Sequence, residues 1–254
     1  MIDAAISLLT KNGLVAAFAV VGATVWFSYV VSTKLTSGRI HGSAIAILLG
    51  LVLAYAGGLM AGGTKGLADV PIFAGIGLMG GAMLRDFAIV STAFGVSFSE
   101  IKKAGMSGVI SLFAGVLVSF VVGALVAVAF GYTDAVSLTT IGAGAATYIV
   151  GPVTGAAIGA SSELIALSVA AGLVKSVLVM TGTPLVARYI GLDNPRSAMV
   201  YGGLMGTTSG VAGGLAATDP KLVPYGAMTA TFYTGLGCLL GPSVLFLAIR
   251  ALVG

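Results

Sequence analysis

The chain has 254 residues, of which 58% are hydrophobic and only 8% charged, with a formal net charge of +4. Soluble domains carry about a quarter charged residues, so this composition excludes a water-facing globule and makes lipid the natural surround. The few basic residues are dispersed, which leaves no footprint for nucleic acid. Cys238 is the single cysteine and His41 the single histidine. Neither a metal cluster nor a Ser–His hydrolase has support, and no P-loop is present. The opening MIDAAISLLTKNG lacks a basic region ahead of an apolar one and reads as mature sequence, not a signal peptide.

A spanning helix needs about 20 apolar residues, so uncharged intervals mark the crossings. In chain order these are 12–33, 41–64, 70–99 (interrupted by Arg85 and Asp86), 104–133, 164–187 (interrupted only by Lys175) and 222–249. Two further apolar stretches, 135–162 and 197–218, are dense in Gly, Ser and Thr at their centres. Gly costs about 1 kcal/mol per residue in a helix interior relative to Ala, and Pro152 follows Gly151. Continuous helices are therefore not expected there. Broken backbone at membrane depth survives only where protein or a watery cavity surrounds it. The reading is an all-α polytopic membrane protein in one domain, 1–254, with about six full transmembrane helices and two Gly-rich re-entrant or broken-helix segments.

Counting Lys and Arg tests the orientation. If both Gly-rich segments are re-entrant, Lys34, Arg39, Lys102, Lys103, Arg188, Arg196 and Lys221 share one side, and Lys11, Lys65 and Arg250 the other. If both cross fully, Arg188 and Arg196 change sides and the bias vanishes. The re-entrant arrangement is preferred. Residues 137–190 and 197–250 also read as two editions of one plan: a broken segment, a short polar step, then a long apolar helix ending near Pro184 or Pro242. With re-entrant segments the second edition is inverted, a recurring transporter design.

Lys175 stands near mid-helix, where a charge costs at least about 2.5–3.5 kcal/mol. Ser168, Gly172 and Lys175 share one helix face, which turns toward other helices. Lys175 either attracts an anionic substrate or answers to cation occupancy. The bland alternative is a packing role, paired with Asp86 or a carbonyl. Arg85 has the fork to grip a carboxylate, and Asp86 the charge to hold a small cation, unless they pair with each other. Thr207, Thr208, Ser209 and Gly210 can offer hydroxyls and free N–H groups at a helix break, where anions are attracted. Gly144, Thr147, Tyr148, Gly151 and Pro152 form the matching element in the first unit. Substrate contacts are expected from Lys175, Arg85, Thr207–Gly210, Thr147 and Gly151. A sodium position is expected among Asp86, Gly144, Tyr148 and Thr207. The alternative for the glycines is tight helix packing.

Four strings carry a family resemblance: HGSAIAILLGLVLAYAGG at 41–58, GLADVPIFAGIGLMGGAMLRDFAIVSTAFGV at 66–96, GYTDAVSLTTIGAGAATYIVGPVTGAAIGASSE at 131–163, and LDNPRSAMVYGGLMGTTSGVAGGLAATDPKLVPYGA at 192–227. They make the chain resemble, over nearly its whole length, the MadM family, the larger subunit of bacterial malonate:sodium symporters. The resemblance implies uptake of malonate with sodium as the coupling ion, no other cofactor and no enzymatic activity. It also implies the cytoplasmic (inner) membrane and a smaller membrane partner, MadL, with a higher oligomer open. It carries no binding residues. Malonate is a dianion, and each charge moved against the potential costs about 2.3 kcal/mol per 100 mV. Two co-transported sodium ions would make uptake electrically neutral, and more would favour it. A carrier of another small carboxylate and an accessory scaffold remain the alternatives.

Overall fold

The computed structural model describes residues 2–37, 42–61, 66–80 and 98–254, which are helix and turn without a strand among them. The chain packs into two compact units, 1–90 and 91–254.

The first unit contains α1 (Ile2–Lys11), α2 (Gly13–Leu35), α3 (Gly42–Ala61), two single 3-10 turns (Gly66–Asp69 and Pro71–Phe73) and the one-turn α4 (Gly75–Leu78). In α2 the large apolar side chains point outward, with Val15, Phe18, Trp26 and Phe27 all more than half exposed. Small residues, Ala16, Ala17, Ser28 and Ser32, are the buried ones. That inversion of the soluble pattern is what a lipid-facing helix requires.

Four helical stretches among the described residues are long and apolar enough to cross a bilayer: Gly13–Leu35, Gly105–Ala129, Glu163–Val186 and Pro220–Val253. The 41–64 interval forms α3, whose apolar part, Ile45–Ala61, is shorter. The interval 70–99 does not begin as a long helix. Pro71 starts a 3-10 turn, and α4 stops before Gly80, where φ is +64°. Arg85 and Asp86 lie outside the described residues.

The second unit opens with α5 (Phe98–Ala129), interrupted at Gly105, where φ is +59°. It continues with α6 (Ala135–Ala146), α7 (Val150–Ile158), α8 (Ser162–Val186), α9 (Pro195–Met205), α10 (Thr208–Ala216) and α11 (Val223–Leu240). A π turn at Gly241–Leu245 then leads into α12 (Phe246–Val253). The starts of α6, α8 and α9 are set by side-chain caps. The Asp134 carboxylate accepts from Ser137 N at 2.9 Å, Ser161 Oγ accepts from Leu164 N at 3.3 Å, and Asn194 and Ser197 cap each other. The Ser137 hydroxyl leads in holding the Asp134 carboxyl below its ordinary 3.8. Its folded value being the lower one, the cap's contribution is complete above 3.8 and is lost as pH falls through the folded value. Asp134→Ala should cost about 1 kcal/mol, read as a lower melting temperature at pH 7 with the gap closing in acid.

Close glycine contacts define how the helices run. A methyl group on Gly151 would lie 2.8 Å from Gly144 Cα, and one on Gly155 2.9 Å from Thr140 Cγ2. Thus α7 folds back along α6 as a hairpin. Gly144 meets Ser168 and Gly172 meets Tyr148, so α6 runs with α8 and the hairpin tip, 147–149, reaches the middle of α8. The second hairpin is splayed. Gly202 abuts Gly226 and Gly206 abuts the Tyr233 ring, so α9 runs with α11; Gly210 and Gly214 abut Val179 and Thr183, so α10 runs with α8. Val211, Leu215 and Ala198 converge on Gly226, bringing the outer ends of α9 and α10 back to one level. The first hairpin enters from the N-terminal end of α8 and the second from its C-terminal end. Gly172→Val would drive a side chain into the Tyr148 backbone. Overpacking of this kind costs about 1–3 kcal/mol, and thermal unfolding in detergent should show the loss.

Candidate functional site

The two tips meet around α8. The Lys175 ammonium donates to the Ala146 carbonyl oxygen at 2.8 Å, to Ser119 Oγ at 2.8 Å and to Tyr233 Oη at 3.3 Å. Those partners come from α6, α5 and α11, and the three acceptors match the three donors of an ammonium. Tyr233 is fully buried and its hydroxyl donates to the Gly115 carbonyl at 3.1 Å. Its lone pairs are thereby left for Lys175, whose Nζ is 5.1 Å from the ring centroid. Ala146 ends α6, so its carbonyl belongs to the negative end of that half-helix. The lysine stem lines an apolar cavity of about 800 Å³ with Gly123, Ala145, Ala171 and Gly182.

One residue further along α8, buried Ser176 shares a hydrogen bond with Ser209 of the second tip, Oγ to Oγ 2.8 Å. The Tyr148 hydroxyl of the first tip reaches the same Ser209 oxygen at 3.4 Å. The opposed hairpins therefore touch through Tyr148 and Ser209, with consecutive residues of α8 serving both tips.

The tips differ in how their own polar groups are used. In the first, Thr147 Oγ1 accepts from Ile149 N at 3.0 Å, and the Thr147 carbonyl takes Val150 N and Gly151 N at 3.0 and 3.3 Å. In the second, Thr207 stands at the corresponding place, 60 positions on, but makes no cap. The hydroxyls of Thr207 and Thr208 are buried and have no hydrogen-bond partner. Val211 is the first residue of α10 whose N–H meets a backbone acceptor, Thr207 O at 2.8 Å. The start of α10 is a polar, unsatisfied surface at the centre of the unit, which is where ligands are held when a helix terminus is left uncapped.

Of the residues expected at a site, Lys175, Thr207, Thr208, Ser209, Gly210, Thr147, Tyr148, Gly144 and Gly151 are gathered at or beside the tips. Gly144 and Gly151 take the backbone and side chain of Ser168, and Gly210 the Ser176 carbonyl, so each has a packing role there. Sequence reasoning missed Ser119, Tyr233 and Ser176. Ser119 is a hydroxyl in an otherwise apolar stretch, which is a faint signal; Tyr233 sits in a bland TATFYTGLG run with none. No group of His, Cys, Asp and Glu able to hold a metal occurs among the described residues. A cation here would have neutral hydroxyl and carbonyl oxygens as ligands.

A multi-pass helical membrane protein in which two opposed, broken helical hairpins meet around a lysine has the layout of a secondary-transporter core. The chain belongs to the malonate/sodium symporter MadM subunit family, whose family model matches residues 5–253. No curated protein and no solved structure matches it.

Proposed function

We propose that this chain is the translocating subunit of a sodium-coupled malonate uptake system in the bacterial cytoplasmic membrane, working with a small membrane partner, MadL. The observation that carries the reading is the Lys175 ammonium held where the two tips meet. One carboxylate of the dianion pairs with Lys175. The other is received by the start of α10, from the Thr207, Thr208 and Ser209 hydroxyls and the first-turn N–H groups. Neutral oxygens at the tips, among them the Tyr148 hydroxyl and the carbonyls by Gly144, are suited to sodium, as unwound carbonyls and half-helix C-termini are in other transporters. Arg85 and Asp86 stay in this proposal as further contacts to anion and cation, on the sequence alone.

The tips act as re-entrant segments, and the α8 C-terminal end of the unit faces the cytoplasm. Arg188, Arg196 and Lys221 lie at that end and Arg250 at the other, a bias in the direction of the positive-inside rule. Uptake of labelled malonate into proteoliposomes holding this chain, with and without MadL, tests the reading under an imposed sodium gradient. Sodium-driven uptake that excess malonate blocks is the expected result. Uptake of another carboxylate in preference would change the substrate. Absence of uptake with both subunits folded would assign the chain a scaffold role.

A further inference from the structure

We propose that the oxygen cage around the Lys175 ammonium is itself a sodium position, occupied by the ammonium in the empty carrier and given over to sodium when a substrate carboxylate draws the lysine away. This rests on the reading of the chain as a sodium-coupled dicarboxylate carrier and deepens it.

The cage has the composition of a monovalent cation site. Its three oxygens, from Ala146, Ser119 and Tyr233, converge on one point within 3.3 Å. All are neutral, and one is the carbonyl at a half-helix C-terminus, the group that coordinates sodium where transporter helices are broken. Tyr233 is locked in the accepting role because its proton is committed to the Gly115 carbonyl. Gly206 packs on its ring, so the cage wall is fixed by both the transmembrane helix and the second tip. The ammonium, by contrast, ends a flexible four-carbon stem.

The force that would move it is on the same page of the fold. The buried, unpartnered hydroxyls of Thr207 and Thr208 and the uncapped start of α10 belong to the tip that touches Tyr233. A dicarboxylate bound there presents its second carboxylate to Lys175, and a charge-assisted bond outcompetes hydrogen bonds to neutral oxygens. An ammonium and a sodium ion cannot share three oxygens, so sodium enters only after the lysine leaves. Dianion and sodium then favour each other reciprocally, and sodium alone has no vacant cage to ride in. The lysine is a tethered cation that enforces coupling.

Binding of radiolabelled sodium to the purified complex of this chain with its small partner, with and without malonate, tests this. Wild type should bind sodium about ten-fold or more tightly when malonate is present. Lys175→Met should bind sodium without malonate, with an affinity that malonate no longer changes, and adding Ser119→Ala should weaken it again. Folded Lys175→Met that binds no more sodium than malonate-free wild type overturns the proposal. Tyr233→Phe keeps the lysine and removes one cage oxygen. It should lower malonate-dependent sodium affinity several-fold while malonate binding without sodium tightens, because the ammonium then leaves one acceptor fewer; unchanged sodium affinity overturns the proposal independently of how Lys175→Met folds. Wild type that binds no malonate at all would instead overturn the functional reading.

Discussion

Lys175→Ala should reduce malonate uptake to near background in protein that still reconstitutes. Two anionic charges cannot rest near the bilayer centre without a cation to answer them, and Lys175 is the one cation the structure brings to the tips among the described residues. Removing one member of a buried charge-assisted pair costs about 2–5 kcal/mol, a loss of about thirty-fold at the least. The folding cost is smaller. The substitution leaves the Ala146 carbonyl without its partner, worth about 1–3 kcal/mol, while Tyr233 keeps its bond to Gly115. Lys175→Arg separates charge from shape. It preserves the charge, but a planar fork does not satisfy three oxygens arranged around a point, and intermediate uptake is expected. Initial rates at saturating sodium, corrected for reconstituted protein, are the measurement. Wild-type rates in Lys175→Ala would remove the lysine from the substrate path.

The parts of this fold that could be read in the sequence are those where one residue type is locally out of place. Clusters of Gly, Ser and Thr in apolar runs marked both breaks, and the breaks fall at 147–149 and 206–207. Pro152 misled slightly. It sits inside the first turn of α7, where a missing N–H costs nothing, and the break is set instead by the extended backbone of Thr147. The shared face of Ser168, Gly172 and Lys175 was legible as a period, and all three do meet the first hairpin. The cage was not legible. Ser119 and Tyr233 lie 56 and 58 positions from Lys175, and only the antiparallel runs of both α5 and α11 beside α8 bring them together. Asp86, weighed as the lysine's partner, is outside the described residues, and the carbonyl considered beside it proves to be that of Ala146. Nor could the sequence tell Thr147 from Thr207. They occupy matching places, yet the same hydroxyl closes one tip and is left over at the other.

That difference predicts opposite outcomes for one substitution at the two tips. Thr147→Val removes the acceptor of Ile149 N, so it should destabilise the protein by about 1 kcal/mol, the usual net value of one hydrogen bond, with a lower melting temperature. Its effect on uptake follows only from that loosening. Thr207→Val and Thr208→Val delete hydroxyls that are buried and bond to nothing. An unsatisfied buried polar group is a cost, about 1–3 kcal/mol, so the melting temperature of the empty carrier should hold or rise. Uptake should move the other way. Each hydroxyl bonded to a carboxylate contributes about 1.5–3 kcal/mol, so each single variant should need about ten- to hundred-fold more malonate for half-saturation, and the double variant more than about hundred-fold. Added malonate, which should raise the melting temperature of wild type by binding the folded state, should no longer do so in the double variant. Val preserves the branched shape at both positions, so packing is held nearly constant and the comparison isolates the hydroxyl. If the Thr207 and Thr208 variants lost stability and transport together, these hydroxyls would be structural groups, and the anion would have to be received elsewhere on the tips. A carrier that grows more stable as it loses its substrate would place the uncapped start of α10 in the binding site, because only a group kept unsatisfied for a ligand behaves in that way.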